Sequence, residues 1–186
     1  MDKDVSAGSG ITTVAGRLAL GITLLAFGLG NTAVIDGVSA ADATSIAQYV
    51  GGVALFLAGM VALREGDAAG GTAFSVLGAL WFTWAVSEVA AGNGAGLFLL
   101  LFALVALSLT LAGGDQLGRG VHGLFSVSLL LLAVAAFAEN DGLAKVSGWF
   151  AVAAGAVAWY AATAALAHWP TALPRRAAGR GVTATG

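Results

Sequence analysis

Residues 49–83 read YVGGVALFLAGMVALREGDAAGGTAFSVLGALWFT, two apolar segments on either side of a short charged turn, Arg64, Glu65, Gly66 and Asp67. The turn is too short to leave room between its flanks, so the two segments must run back antiparallel against each other. Their glycines, Gly51, Gly52 and Gly59 among them, fall where two backbones would have to lie close. In lipid such small-residue faces are what lets helices pack. The stretch therefore predicts a membrane helical hairpin whose inner face lines a solute pathway.

Composition carries the same reading to the rest of the chain. Hydrophobic residues make up 59%, charged residues 10%, and the mean hydropathy is +0.91. A soluble chain with so few charges could not cover its own core, which predicts an integral membrane protein. A net charge of −2 offers no basic surface to release counterions, so no nucleic-acid partner is expected. The chain has no cysteine, which excludes disulfides, thiol nucleophiles and thiolate metal sites. With two histidines far apart in sequence, no metal and no cofactor are expected either.

At about 20 residues per span, the 186 residues hold six spans and short turns. The expected spans are 11–35, 45–63, 72–91, 95–113, 119–138 and 146–168, each bounded by Gly, Asn, Asp or a charge cluster. The runs are continuous rather than alternating, which excludes a transmembrane β-barrel. The fold class expected is an all-α integral membrane protein, a six-transmembrane-helix bundle. Residues 1–10 form a cytoplasmic N-terminal segment, 11–168 the membrane domain and 169–186 a disordered cytoplasmic tail. The first apolar run is too long for a signal-peptide core and reads as a retained helix.

Basic residues set the orientation. Lys3, Arg17, Arg64, Arg119, Arg175, Arg176 and Arg180 lie on the side of both termini, against Lys145 on the other, which puts both termini in the cytoplasm. Trp169, at the end of a span, reads as an interfacial anchor; Trp81, deep in its span, reads as packing.

Ionisable groups within spans are the default functional candidates, because burying charge in hydrocarbon is costly. Arg17 lies in the first turns of its span and reads as snorkelling to the headgroups. Glu88 is a candidate for the outer end of a pathway, with a carboxylate simply reaching the interface as the plainer alternative. His122 is a candidate pH-sensitive gate, set against an ordinary interfacial histidine. The sequence offers no HExxH, no GxSxG, no Walker-type loop and no paired intramembrane aspartates, so no enzyme is expected. What remains is a set of hydroxyls, Thr23, Thr72, Ser75, Thr83, Ser108, Thr110, Ser126 and Ser128. Half or more of these can be structural, bonded to a carbonyl one turn back; several facing one axis would instead hydrate a narrow pore.

The opening stretch also resembles the second and third helices of the acetate uptake transporter family, the succinate-acetate permease type. Gly51, Gly52, Ala58, Gly59, Gly66, Thr72, Ala73, Phe74, Gly78 and Trp81 match its pattern position for position. Residues 147–168, SGWFAVAAGAVAWYAATAALAH, look like that family's last helix at Gly148, Trp149, Gly155, Ala158, Tyr160 and Ala162. The resemblance implies six-helix subunits that assemble as hexamers in the plasma membrane, each with its own pathway for acetate and related small carboxylates; fungal relatives are linked to ammonia export.

The departures are specific. The family's N-terminal NPAPLG motif has no counterpart in ITTVAGRLALG, residues 11–21, and its second-helix glutamine and glutamate fall at Leu55 and Ala62. Its constriction, a phenylalanine, a tyrosine and a leucine, aligns with Leu20, Leu77 and Val127, all aliphatic. The function the resemblance implies is a transporter or channel for a small monocarboxylate such as acetate, proton-linked, with Leu20, Leu77 and Val127 as pore constriction and Thr23, Thr72, Ser75 and Ser126 as pore lining. An ammonia or urea channel of the same fold, and a non-transporting paralogue kept as a membrane assembly partner, are the alternatives.

Overall fold

The computed structural model describes residues 10–87, 92–112 and 114–169. Six helices among them are long and apolar enough to cross a membrane: α1 Ile11–Thr32, α2 Thr44–Arg64, α3 Ala68–Val86, α4 Gly92–Leu111, α5 Gln116–Ala138 and α6 Asp141–Leu166. Most of residues 1–10 and of the tail, together with Glu88, lie outside the described residues.

The helices start and stop where side chains satisfy their free backbone groups. Asp67 caps α3, accepting from the Gly70 N–H at 2.9 Å, so the charged turn is itself a helix-start signal. Asp115 caps α5 through Gly118, and Asn140 caps α6 through Leu143. These caps place the starts of α3 and α6 at residues 68 and 141 rather than the expected 72 and 146. Hydropathy misses them because these first turns carry little apolar weight, Ala and Gly in α3 and Asp141, Gly142 and Lys145 in α6. At the other end, α1 stops at Thr32 with Ala33 in the left-handed region, short of the expected residue 35.

α2 is not a uniform α-helix. Ala47–Ala54 winds as a π-helix around the Gly51–Gly52 pair. The wider turn lays Gly51 between α1 and α3, where a Cβ would lie 2.5 Å from the Thr23 side chain and 3.2 Å from the Trp81 ring, and Gly52 against α3, where one would lie 3.0 Å from the Phe82 backbone. Wide turns of this kind recur where a helix face must be re-aimed.

Two seams hold the first half of the chain. In the α2–α3 hairpin, a Cβ on Gly78 would lie 2.6 Å from the Phe56 N, and one on Gly71 2.7 Å from the Leu63 N. Between α1 and α6, a Cβ on Gly28 would lie 2.6 Å from the Val152 N and one on Gly155 2.7 Å from the Leu25 N. α5 is tied instead by hydroxyls: Ser126 donates to the Ala103 carbonyl of α4 at 3.1 Å, and Ser128 to the Ser147 carbonyl of α6 at 2.8 Å. The spatial order that results is α4, α5, α6, α1, α2, α3. Between the two ends of that series, α3 and α4, the backbones do not approach as they do at the seams, and aromatic side chains make the link.

Candidate functional site

A vestibule of about 610 Å³ opens at the end of the bundle opposite residues 11 and 166. All six helices contribute to it: Phe27 and Asn31 from α1, Thr44 from α2, Trp84 from α3, Leu99 from α4, Leu132 from α5 and Asp141 and Ala144 from α6. A cavity that every helix lines lies on the bundle axis. Its two carboxylates, Glu139 and Asp141, make its charge negative.

The floor is aromatic. Phe27 stands edge-on to Trp84 at 5.4 Å and to Trp81 at 5.2 Å. Trp81 is the hub: it stacks on Phe125 at 5.5 Å with the planes 19° apart, and meets Phe102 edge-on at 5.5 Å. Phe102 and Phe125 close the set at 5.3 Å. Such pairs contribute roughly 0.5–1.5 kcal/mol each beyond the area they bury. Rings from α1, α3, α4 and α5 therefore fill the axis beneath the vestibule. On α3, Trp81 lies about 4.5 Å deeper than Trp84, and Leu77 about 6 Å deeper again, at 1.5 Å per residue. Leu77 and Leu20 are 0% and 2% exposed, in the same core as these rings.

Of the three residues expected at the constriction, Leu20 and Leu77 are buried in the core, and Val127 is 40% exposed and faces outward. The α5 side chains in the core are Phe125 and Leu129, each two residues, about 200° of helix phase, from Val127.

The expected hydroxyl lining is not assembled. Thr23 is buried but donates to its own helix at the Ala19 carbonyl, 2.8 Å away. Ser126 is committed to Ala103. Thr72 is exposed on the outer side of α3. Ser75 packs against Gly59 in the hairpin seam, and a second groove, facing outward between α3 and α4, takes the rest of its surface. Thr83, Ser108 and Thr110 also bond one turn back. Within lipid the nearest acceptor for a hydroxyl is its own helix, and it is used.

At the terminal face, three side-chain contacts tie α1 across the bundle. Thr12 donates to Glu65 at 2.9 Å, Thr13 to Asp67 at 3.2 Å, and Arg17 to Asp115 at 2.7 Å. Arg17 therefore spends its charge on α5 rather than on headgroups. Below this layer the Phe74 ring lies on Gly16, where no Cβ could fit. His122 sits in the early turns of α5, half-buried, with its Nδ1 unpartnered. Trp169 is exposed and rests 6.4 Å from the Tyr160 ring, as an interfacial anchor would.

What sequence reasoning missed is the aromatic hub. Its signal was present, in the spacing Leu77, Trp81, Trp84 on one face of α3 and Leu20, Leu24, Phe27, Asn31 on one face of α1.

Comparison with known proteins places this architecture. The bacterial acetate channel SatP has a solved structure that superposes with a TM-score of 0.75 at 23% identity, over 84% of this chain and 92% of that one. That likeness extends the six-helix fold. A curated relative, the glyoxylate pathway regulator of Yarrowia lipolytica (strain CLIB 122 / E 150), is 26% identical over 168 residues, covering 82% of this chain. The chain spans 62% of that relative's length. The model of the GPR1/FUN34/yaaH family matches residues 10–172, nearly the whole sequence, and the chain belongs to that family.

Proposed function

We propose that the protein is a multi-pass plasma-membrane channel or transporter for a small monocarboxylate such as acetate, with both termini in the cytoplasm. The observation that carries the reading is the axial vestibule: a cavity lined by all six helices that ends on a plug of Phe27, Trp81, Trp84, Phe102 and Phe125, with Leu20 and Leu77 in the core beyond it. Family membership and the likeness to an acetate channel support the same solute class. The acidic vestibule, with Glu139 and Asp141, supports proton linkage: it concentrates protons and favours the neutral acid over its anion. Assembly as a hexamer follows the family resemblance. His122, with its free Nδ1 near the terminal face, stands as the candidate gate on the cytoplasmic side. Val127 and the hydroxyls drop out of the pathway, and Leu20 and Leu77 remain as the proposed constriction.

Uptake of labelled acetate into proteoliposomes across a pH gradient tests this. A rate equal to that of empty liposomes would refute it. Leu77→Ala, which opens space at a fully buried position on the proposed route, should raise flux; unchanged flux removes Leu77 from the constriction.

The same carboxylates favour a second reading, a route for ammonium or ammonia, because a negative mouth over aromatic faces attracts small cations. Swelling assays with ammonium and with urea separate it from the first.

A further inference from the structure

Among the described residues three buried side-chain polar atoms have no hydrogen-bond partner: Ser75 Oγ, His122 Nδ1 and Trp81 Nε1. Ser75 lies in the hairpin seam and His122 near the terminal face, whereas Trp81 is the hub of the axial plug. A buried indole normally finds an acceptor for its N–H, and leaving a donor unpaired costs about 1–3 kcal/mol. Trp149, Trp159 and Trp169 avoid that cost by being about half exposed. Trp81 is 1% exposed and has no such outlet.

We propose that the Trp81 indole N–H is the hydrogen-bond donor that takes a carboxyl oxygen of the solute at the centre of the bundle. Its plane is fixed by the stack on Phe125 and by the edges of Phe27 and Phe102, so the donor direction is set before the solute arrives. Pre-orientation of this kind cuts the entropy lost on binding. The Trp81 ring also lies against Gly51, where a Cβ would come within 3.2 Å of it, so α2 backs the indole on a further side. The rings packed on the indole, Phe27, Phe102 and Phe125, are apolar, and Nε1 has no partner among the described residues, which suits a solute with one short apolar end and one acceptor end. An indole nitrogen donates and cannot accept, so the site selects for carboxylic acids or carboxylates and against ammonium, which has only donors to offer.

This inference rests on the carboxylate reading of the function, and its test separates the two. The protein is labelled with 15N at the tryptophan indoles and titrated with acetate in detergent micelles, with Trp81→Phe identifying the Trp81 resonance by its loss. The Trp81 N–H signal should move downfield with saturation while those of Trp149, Trp159 and Trp169 stay fixed. In proteoliposomes, Trp81→Phe should lower acetate uptake by about tenfold, the value of one hydrogen bond to a charged or strongly polar acceptor. Replacing Trp81 by its benzothiophene analogue, which keeps the bicyclic shape and lacks the N–H, should give the same loss and guards against a packing effect. Uptake by the wild type together with an unmoved Trp81 signal would overturn the assignment, as would full uptake by the benzothiophene variant. A moving Trp81 signal without uptake would keep the site and sink the transport reading. Absence of both uptake and a shift would sink both.

Discussion

The two ends of the bundle axis are built in opposite ways. At one end all six helices stand apart around a vestibule of about 610 Å³ with two carboxylates in its wall. At the other, α1 is drawn across to the α2–α3 turn and to the start of α5 by Thr12, Thr13 and Arg17, and Phe74 is seated on Gly16. The wide end carries small, aromatic and acidic residues around an open space; the narrow end is formed by polar residues that reach for one another. The difference teaches that the cavity opens at one end of the bundle while side-chain contacts cross the other. Those contacts are few and individually weak.

The strongest way to break this asymmetry is to remove the vestibule floor. Phe27→Ala takes out a ring that is 1% exposed and touches both Trp81 and Trp84. It should cost about 3–5 kcal/mol of stability, read as a lower midpoint of thermal unfolding in detergent, and should deepen the vestibule towards Trp81. A midpoint unchanged within error would mean that Phe27 is not part of the closure.

A smaller and cleaner change is Asp115→Asn. Asparagine keeps the cap on α5 that Asp115 supplies to the Gly118 N–H, but it ends the ion pair with Arg17. The pair is partly exposed, with side chains 22% and 48% accessible, so its loss should change stability by less than about 1 kcal/mol. If the pair helps to hold the terminal face shut, flux should rise by up to about fivefold, the factor that about 1 kcal/mol represents. Equal flux in Asp115→Asn and wild type would show that the tie does not limit passage.

The smallest effect lies at the rim of the wide end. Ser39 donates both its N–H and its hydroxyl to Asp42 at 2.7 Å, and these bonds hold the Asp42 carboxyl below its ordinary value of 3.8. A lowered carboxyl stabilises the folded turn above the unfolded value, and the contribution fades as pH falls through the folded one. Amide exchange at Ser39 should therefore speed up, beyond its intrinsic pH dependence, once the solution is acidified below about pH 4. Asp42→Asn should exchange fast at every pH, and parallel behaviour of the two proteins would remove the turn from the account.

How much of this was legible in the sequence depends on what each feature is made of. The six spans were readable because hydropathy needs no partner, and the hairpin glycines because close approach tolerates nothing larger at Gly59, Gly71 and Gly78. Which face of a helix turns inward was much less readable. α3 and α4 are apolar nearly all round, since their outer faces meet lipid, so their periodicity points in no direction. On α5 it was the alignment behind the resemblance that picked Val127, whereas the side chains in the core are Phe125 and Leu129. The hydroxyls were read with both roles open, and the structure adds which carbonyls they take: Thr23, Thr83, Ser108 and Thr110 bond to Ala19, Ala79, Leu104 and Ala106, a local choice that residue type does not settle. Asp67 stood in the charged turn, while Asp115 and Asn140 were not singled out; reading all three as caps gives the starts of α3, α5 and α6.

The glycine seam between α1 and α6 has a consequence for biogenesis. The surface of the first helix around Gly21 and Gly28 is complemented by Gly148, Val152 and Gly155 of the last. A chain inserted from its N-terminus must therefore hold that notched surface against acyl chains until residues 141–166 have left the ribosome. The bundle then closes in one late step, with α6 acting as the keystone between the halves α1–α3 and α4–α5. Truncation before Asp141 should leave an inserted but unclosed membrane protein, the kind of intermediate that quality-control proteases recognise.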